Sequence, residues 1–206
     1  METFFHFISR LQTLSDNPVG FKIVIYNKEE FEVYAKALKS RKEEGKSIAD
    51  FLTIDGGDGG SATAPLEMMS KIGLPIRESL RIVNDVLSDY GLRDEITIIA
   101  AEKVLTPDDV VELLCHGADF VNIARGFMIS AGCIRARECS GAGGRNCPVG
   151  LATMDAVKRS RYLVLQKAKH VENYHNELLH GVRSLLAVMG KSNPSELGMD
   201  DLIYHK

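Results

Sequence analysis

The chain has 206 residues, a formal net charge of −3, 45% hydrophobic and 26% charged residues, a composition expected of a soluble globular protein with one domain or one domain and an appendage. The near-neutral balance gives no field to attract nucleic acid or an anionic membrane surface, and no run of about 18 apolar residues exists to span a bilayer. The first eleven residues carry Glu2 and no basic cluster ahead of an apolar core, so a cytoplasmic protein without a secretory leader is expected.

In chain order, an amphipathic helix is predicted over residues 4–14, followed by four short, continuously apolar, β-branched runs at residues 21–26, 50–54, 96–100 and 119–123. Such runs are expected of parallel strands buried on both faces. Helical patterns separate them. Asn27 caps a helix reaching about Glu44, with Phe31, Val33, Tyr34, Ala37 and Leu38 as its apolar side. Residues 76–90 place Ile76, Leu80, Val83, Val86 and Leu87 at helical spacing. Thr106, Pro107, Asp108 and Asp109 read as cap, first-turn proline and acidic first turn of a helix ending at Cys115, which Gly117 stops. Strand–helix alternation at this pitch with right-handed crossovers gives an α/β fold. Beyond residue 124 the pattern changes to a helix over 126–136 and a glycine-rich loop over 139–150. A long helix follows over 165–189, striped by Ala168, Val171, Tyr174, Leu178, Val182 and Leu185, and a last short helix starts at Asn193.

Chemistry-bearing residues gather at the ends of the predicted strands, where loops and free N–H groups converge in α/β folds. Gly56, Gly57, Asp58, Gly59, Gly60 and Ser61 follow the second strand. Glycines there let the backbone approach an anion; the plain alternative is a flexible turn. The spacing fits neither a dinucleotide fingerprint, because Pro65 falls where a helix should run, nor a calcium loop. Ala124, Arg125 and Gly126 join the fourth strand to a helix, a place where N–H groups and a guanidinium attract phosphate; a helix start with a solvated arginine is the alternative. Lys22 interrupts an apolar strand and is read as an electrostatic stabiliser or proton donor in an active-site mouth, against a lysine snorkelling at a strand start. His170, His175 and His180 do not share a helix face well enough for a metal site.

Cys115 lies on an apolar helix face and is read as a core thiol. Cys133, Cys139 and Cys147 fall within 15 residues, the last before Pro148. Clustered thiolates with glycines and a Cys–Pro step suit an iron–sulfur cluster; zinc and no metal remain open.

Taken together, several motifs resemble the C-terminal half of the FMN-binding (β/α)8 domain of glutamate synthase, and most of all its stand-alone FMN-binding relatives. They are Val19-Gly20-Phe21-Lys22, Asp58-Gly59-Gly60-Ser61 with Ala64-Pro65-Leu66-Glu67, Gly117-Ala118-Asp119, Ala124-Arg125-Gly126-Phe127-Met128, Gly132-Cys133-Ile134 and the run from Cys147-Pro148 to Ala152-Thr153. The resemblance implies half of a TIM-type barrel over residues 1–127, a cluster loop over 128–150 and a C-terminal helical extension over 151–206. It implies that the glycine loop with Ser61, the loop of Ala101, Glu102 and Lys103, and the trio Ala124, Arg125 and Gly126 hold FMN. Lys22 would stand near flavin and oxo-acid, and Cys133, Cys139 and Cys147 would ligate a 3Fe–4S cluster. The implied activity is FMN-mediated reductive amination of 2-oxoglutarate to glutamate. Electrons would come through the cluster from a donor protein or reductase subunit. Other expectations are a non-catalytic half-barrel interaction subunit, or an FMN oxidoreductase for a different oxo-acid. The cysteines are spaced C-x5-C-x7-C where the family has C-x5-C-x4-C, and Glu102 replaces a family glycine. A carboxylate beside a phosphate dianion repels it and would crowd its approach. Four strands cannot close an eight-stranded barrel, so the expectation is that either a second copy or a complementary half-barrel chain completes the sheet, or the chain is a truncated or split gene product.

Overall fold

The computed structural model describes residues 1–58, 72–139 and 146–203. Its sheet has four parallel strands in the order of the chain: β1 (Phe21–Val24), β2 (Phe51–Asp55), β3 (Thr97–Ala101) and β4 (Phe120–Val121). Helix α1 (Glu2–Gln12) precedes the sheet, and α2 (Lys28–Glu43), α3 (Ile76–Asp89) and α4 (Pro107–Cys115) are the successive crossovers. This is the α/β fold that the strand–helix rhythm predicts and the half of a TIM-type barrel that the resemblance implies.

The capping residues act where sequence places them. The Asn27 side chain accepts the Glu30 N–H at 2.8 Å. The Asp109 carboxylate accepts the N–H groups of Leu105 at 2.9 Å and Thr106 at 3.0 Å, tying down the start of α4. Gly117, at φ 90°, adopts the left-handed conformation that ends the helix.

Register sorts the strand residues into two faces. Phe21, Leu52 and Ile98 form one outward row, and Ile23, Ile54, Ala100 and Val121 the next. Most of these pack beneath Phe31, Ala35 and Leu38 of α2, Leu80, Val83 and Val86 of α3, and Leu113 of α4. The opposite face carries Lys22, Thr53, Ile99 and Phe120 in one row and Val24, Asp55 and Ala101 in the next. Burial on both faces, expected from the apolar runs, is therefore corrected. Val24 is 44% and Phe120 62% exposed. Helices cover only one side of the sheet, and a barrel interior is filled only when the strands close around it.

Beyond β4 the predicted helix over 126–136 is shorter. Helix α5 runs Arg125–Ser130, where Gly132 at φ 100° turns the chain. A short α6 (Ala156–Ser160), not anticipated, precedes α7 (Val164–Val188). Tyr174, Leu178 and Leu186 lie on the face of α7 that meets α4 and α5. The last predicted helix is two 3-10 turns, Pro194–Glu196 and Met199–Asp201. Among the described residues no helix is long and apolar enough to cross a membrane.

Candidate functional site

The carboxyl ends of β2 to β4 bring Asp55, Gly56, Gly57, Asp58, Ala101, Glu102, Lys103, Ala124, Arg125 and Gly126 to the same end of the sheet, with Lys22 lower down on β1. Gly59, Gly60 and Ser61 lie outside the described residues. Lys22 sits mid-strand on the concave face, and its ammonium lies 2.7 Å from Asp55 Oδ2. Asp55 is two residues beyond Thr53, the register partner of Lys22, so the pair is diagonal across one face.

The next pair lies between loops: Lys103 Nζ is 2.6 Å from Asp58 Oδ2. Lys103 holds φ 47°, unusual for a residue with a side chain. Its neighbour Glu102 turns the other way. The Glu102 side chain is 5% exposed, and Oε2 accepts the Ile76 N–H, the first of α3, at 3.0 Å. It supplies the cap that Pro75, the preceding residue, has no side chain to give. Burial pushes the Glu102 carboxyl up; the Ile76 N–H and Lys103 oppose this, and the charges of Asp58 and Asp55 reinforce it.

Packing explains both described glycines of the β2 loop. A Cβ on Gly56 would meet the Glu102 carboxylate, and one on Gly57 would lie 2.5 Å from the Gly73 carbonyl oxygen. The Gly57 N–H donates to Leu74 O at 2.8 Å, and the Leu74 N–H to Ile25 O at 2.8 Å. These bonds bind the loop to the end of β1.

Tyr174 organises the opposite side. Its hydroxyl donates to Leu105 O at 2.8 Å and lies 1.9 Å from where a Cβ on Gly126 would stand. It thereby joins the loop after β3 to the start of α5. The sequence shows Tyr174 only as one member of an apolar stripe, and nothing local marks its reach to residue 105. Arg125 is half-buried at the start of α5 and forms no ion pair among the described residues.

The residues of these loops do not bar a phosphate group from the β4 side of the mouth. The expected repulsion depends on where the Glu102 carboxylate stands, and it stands on the β2 side of β3, against Gly56 and α3. Arg125, which starts α5 after β4, has no ion-pair partner among the described residues.

Among the cysteines, Cys115 is buried as expected. Cys147 is buried too; burial alone would raise its thiol, but the N–H groups of Ala152, Val149, Leu151 and Gly150 outweigh it and hold the thiol below its ordinary value. Cys133 accepts the Arg135 N–H at 3.4 Å, and Cys139 is exposed. The three do not gather: among the described residues no group of three or more His, Cys, Asp or Glu side chains is arranged to hold a metal ion. As placed, they do not fit a cluster.

The family model described as the conserved region in glutamate synthase matches residues 1–192. The glutamate synthase large subunit-like protein YerD of Bacillus subtilis is 40% identical over 201 residues, which are 97% of this chain and 37% of that protein. A ferredoxin-dependent glutamate synthase of Cyanidium caldarium is 33% identical over 161 residues, 78% of this chain and 10% of that one. The chain thus spans well under half the length of these relatives. A solved flavocytochrome b2 variant with sulfite bound shares the fold at TM-score 0.56 and 16% identity, over 95% of this chain and 37% of that one.

Proposed function

As this chain belongs to the glutamate synthase family, we propose that it supplies the FMN-phosphate half of a glutamate synthase-like oxidoreductase acting on 2-oxoglutarate. The observation that carries this is Arg125, half-buried without an ion-pair partner among the described residues, at the strand ends where α/β folds bind ligands. Arg125, with the backbone of Ala124, Gly126, Ala101 and Lys103, holds the phosphate. Gly56, Gly57 and Asp58, continuing into Gly59, Gly60 and Ser61, border the ring. FMN, when bound, supplies the hydride for reductive amination to glutamate. Lys22 presents a positive charge on the concave face, where it attracts a dicarboxylate and steadies negative charge in the reaction. The three cysteines, not gathered in space, are given no step; electrons come from a donor protein or reductase subunit.

A complementary half-barrel chain completes the site. The exposed Val24 and Phe120 and the outer edges of β1 and β4 support such a partner, because open parallel edges and an uncovered interior row are costly in water.

The test is titration of the full chain with FMN, followed by flavin fluorescence. Binding that weakens about tenfold or more in R125A supports the function, in line with the loss of one charge-assisted contact. A chain that leaves FMN fluorescence unchanged, alone and mixed with the complementary half, rejects it. Sedimentation of a well-folded monomer at micromolar concentration, unchanged by that half, rejects the partner.

A further inference from the structure

We propose that Asp55 is a positioning residue that holds the Lys22 ammonium at the rim of the concave face. This rests on the placement of Lys22 at the flavin and oxo-acid site. Lys22 and Asp55 occupy different rows. Lys22 stands level with Thr53 and Ile99, mid-sheet, whereas Asp55 closes β2 between Val24 and Ala101. A lysine at the lower level has four methylenes and a choice of directions. The 2.7 Å contact with Asp55 selects the direction along the strand toward the ligand-binding end.

The surroundings make Asp55 fit for this. Its side chain is 19% exposed against 58% for that of Lys22, so the acceptor is fixed by the sheet and the donor is the mobile partner. Ala101, its register neighbour on β3, carries only a methyl group and offers no competing polar partner. Lys103, a second lysine at the strand ends, is engaged by Asp58 at 2.6 Å, so it does not compete for Asp55. Glu102, the remaining carboxylate of the group, is committed to the Ile76 N–H. Each lysine of the mouth thus has its own carboxylate, and Asp55 determines where the charge of Lys22 is offered.

The experiment is competitive acetylation of the full-length chain with an amine-reactive ester at fixed pH, with modification of each lysine followed by mass spectrometry. In D55N, which keeps the size of the side chain but not its charge, Lys22 is acetylated about two- to fivefold faster, the range expected for loss of a partly exposed pair. D55E restores the slow rate, while Lys28 and Lys39 are unchanged in all variants and report an intact fold. An unchanged Lys22 rate in D55N, with those reference lysines also unchanged, overturns the assignment. FMN titration of K22Q is run alongside. If K22Q binds FMN and retains its flavin spectrum like the wild type while D55N still accelerates Lys22, the pair stands and only the placement of Lys22 at the flavin falls. If D55N acts and K22Q alters the bound-flavin spectrum, both stand.

Discussion

The Glu102 carboxylate fills the space beside the Gly56 Cα: a Cβ placed on Gly56 would lie 1.5 Å from Glu102 Oε2. One residue from the loop after β3 therefore decides which residue the loop after β2 can carry. It does so while capping α3 through Ile76. Three elements meet at one buried carboxylate.

This contact predicts strong coupling. G56A must expel the Glu102 carboxylate from a buried site and break its bond to Ile76, at a cost of about 2 kcal/mol. In E102G the same substitution costs much less, because the obstructing atoms are gone. A double-mutant cycle by urea unfolding measures the difference; additive effects would contradict the packing account.

The buried carboxylate also gives a pH dependence. Its folded-state pKa is raised above the ordinary value of 4.5. The protonated form is thus favoured by folding, a contribution fully present below 4.5 and lost as pH rises through the raised value. The wild type should lose stability relative to E102Q as pH climbs from 4.5 through the raised value, and the difference should level off above it. Urea midpoints of the two proteins across that range check this, and parallel curves would exclude it.

Asp109 behaves with the opposite sign. Burial works to raise its carboxyl, but bonds from the Leu105 and Thr106 N–H groups and the Thr106 hydroxyl prevail and hold it below 3.8. Its contribution is present above 3.8 and is lost as pH falls through the lower folded value. D109A should cost about 1 kcal/mol at neutral pH, as for other lost caps, and the gap should narrow in acid. Thermal denaturation at both extremes measures it.

The two buried thiols should separate by pH. Burial raises the Cys115 thiol above 9.0, with the charge of Asp201 adding to it, whereas four backbone N–H groups bring Cys147 below 9.0 despite its burial. Alkylation with iodoacetamide, resolved by peptide mass spectrometry, should show Cys147 reaching its half-maximal rate at lower pH than Cys115. Coincident profiles would remove the account of the sulfur-directed N–H groups.

Order and type of the four strands and of α1 to α4 were legible because they rest on local rules. Apolar runs, Asn27 and Thr106 at caps, Pro107 in a first turn and Gly117 at a stop each act within a few residues. The placing of residues 55–58, 101–103 and 124–126 at one end followed from strand–helix alternation, since parallel strands send all their carboxyl ends the same way; Lys22, mid-strand, reaches toward that end only through Asp55. Only tertiary structure decided the rest. The same apolar strand sequence suits burial on one face or two, and the number of strands present determines which. Glu102 reads as an obstacle to phosphate until its carboxylate is found against Gly56 and Ile76, far along the chain from it. Asp55 and Tyr174 carry no local signal, because their partners are Lys22 and Leu105, brought near by sheet register and helix packing. Spacing likewise brings Cys133, Cys139 and Cys147 close in sequence, but where their sulfurs stand depends on the fold of the chain between them.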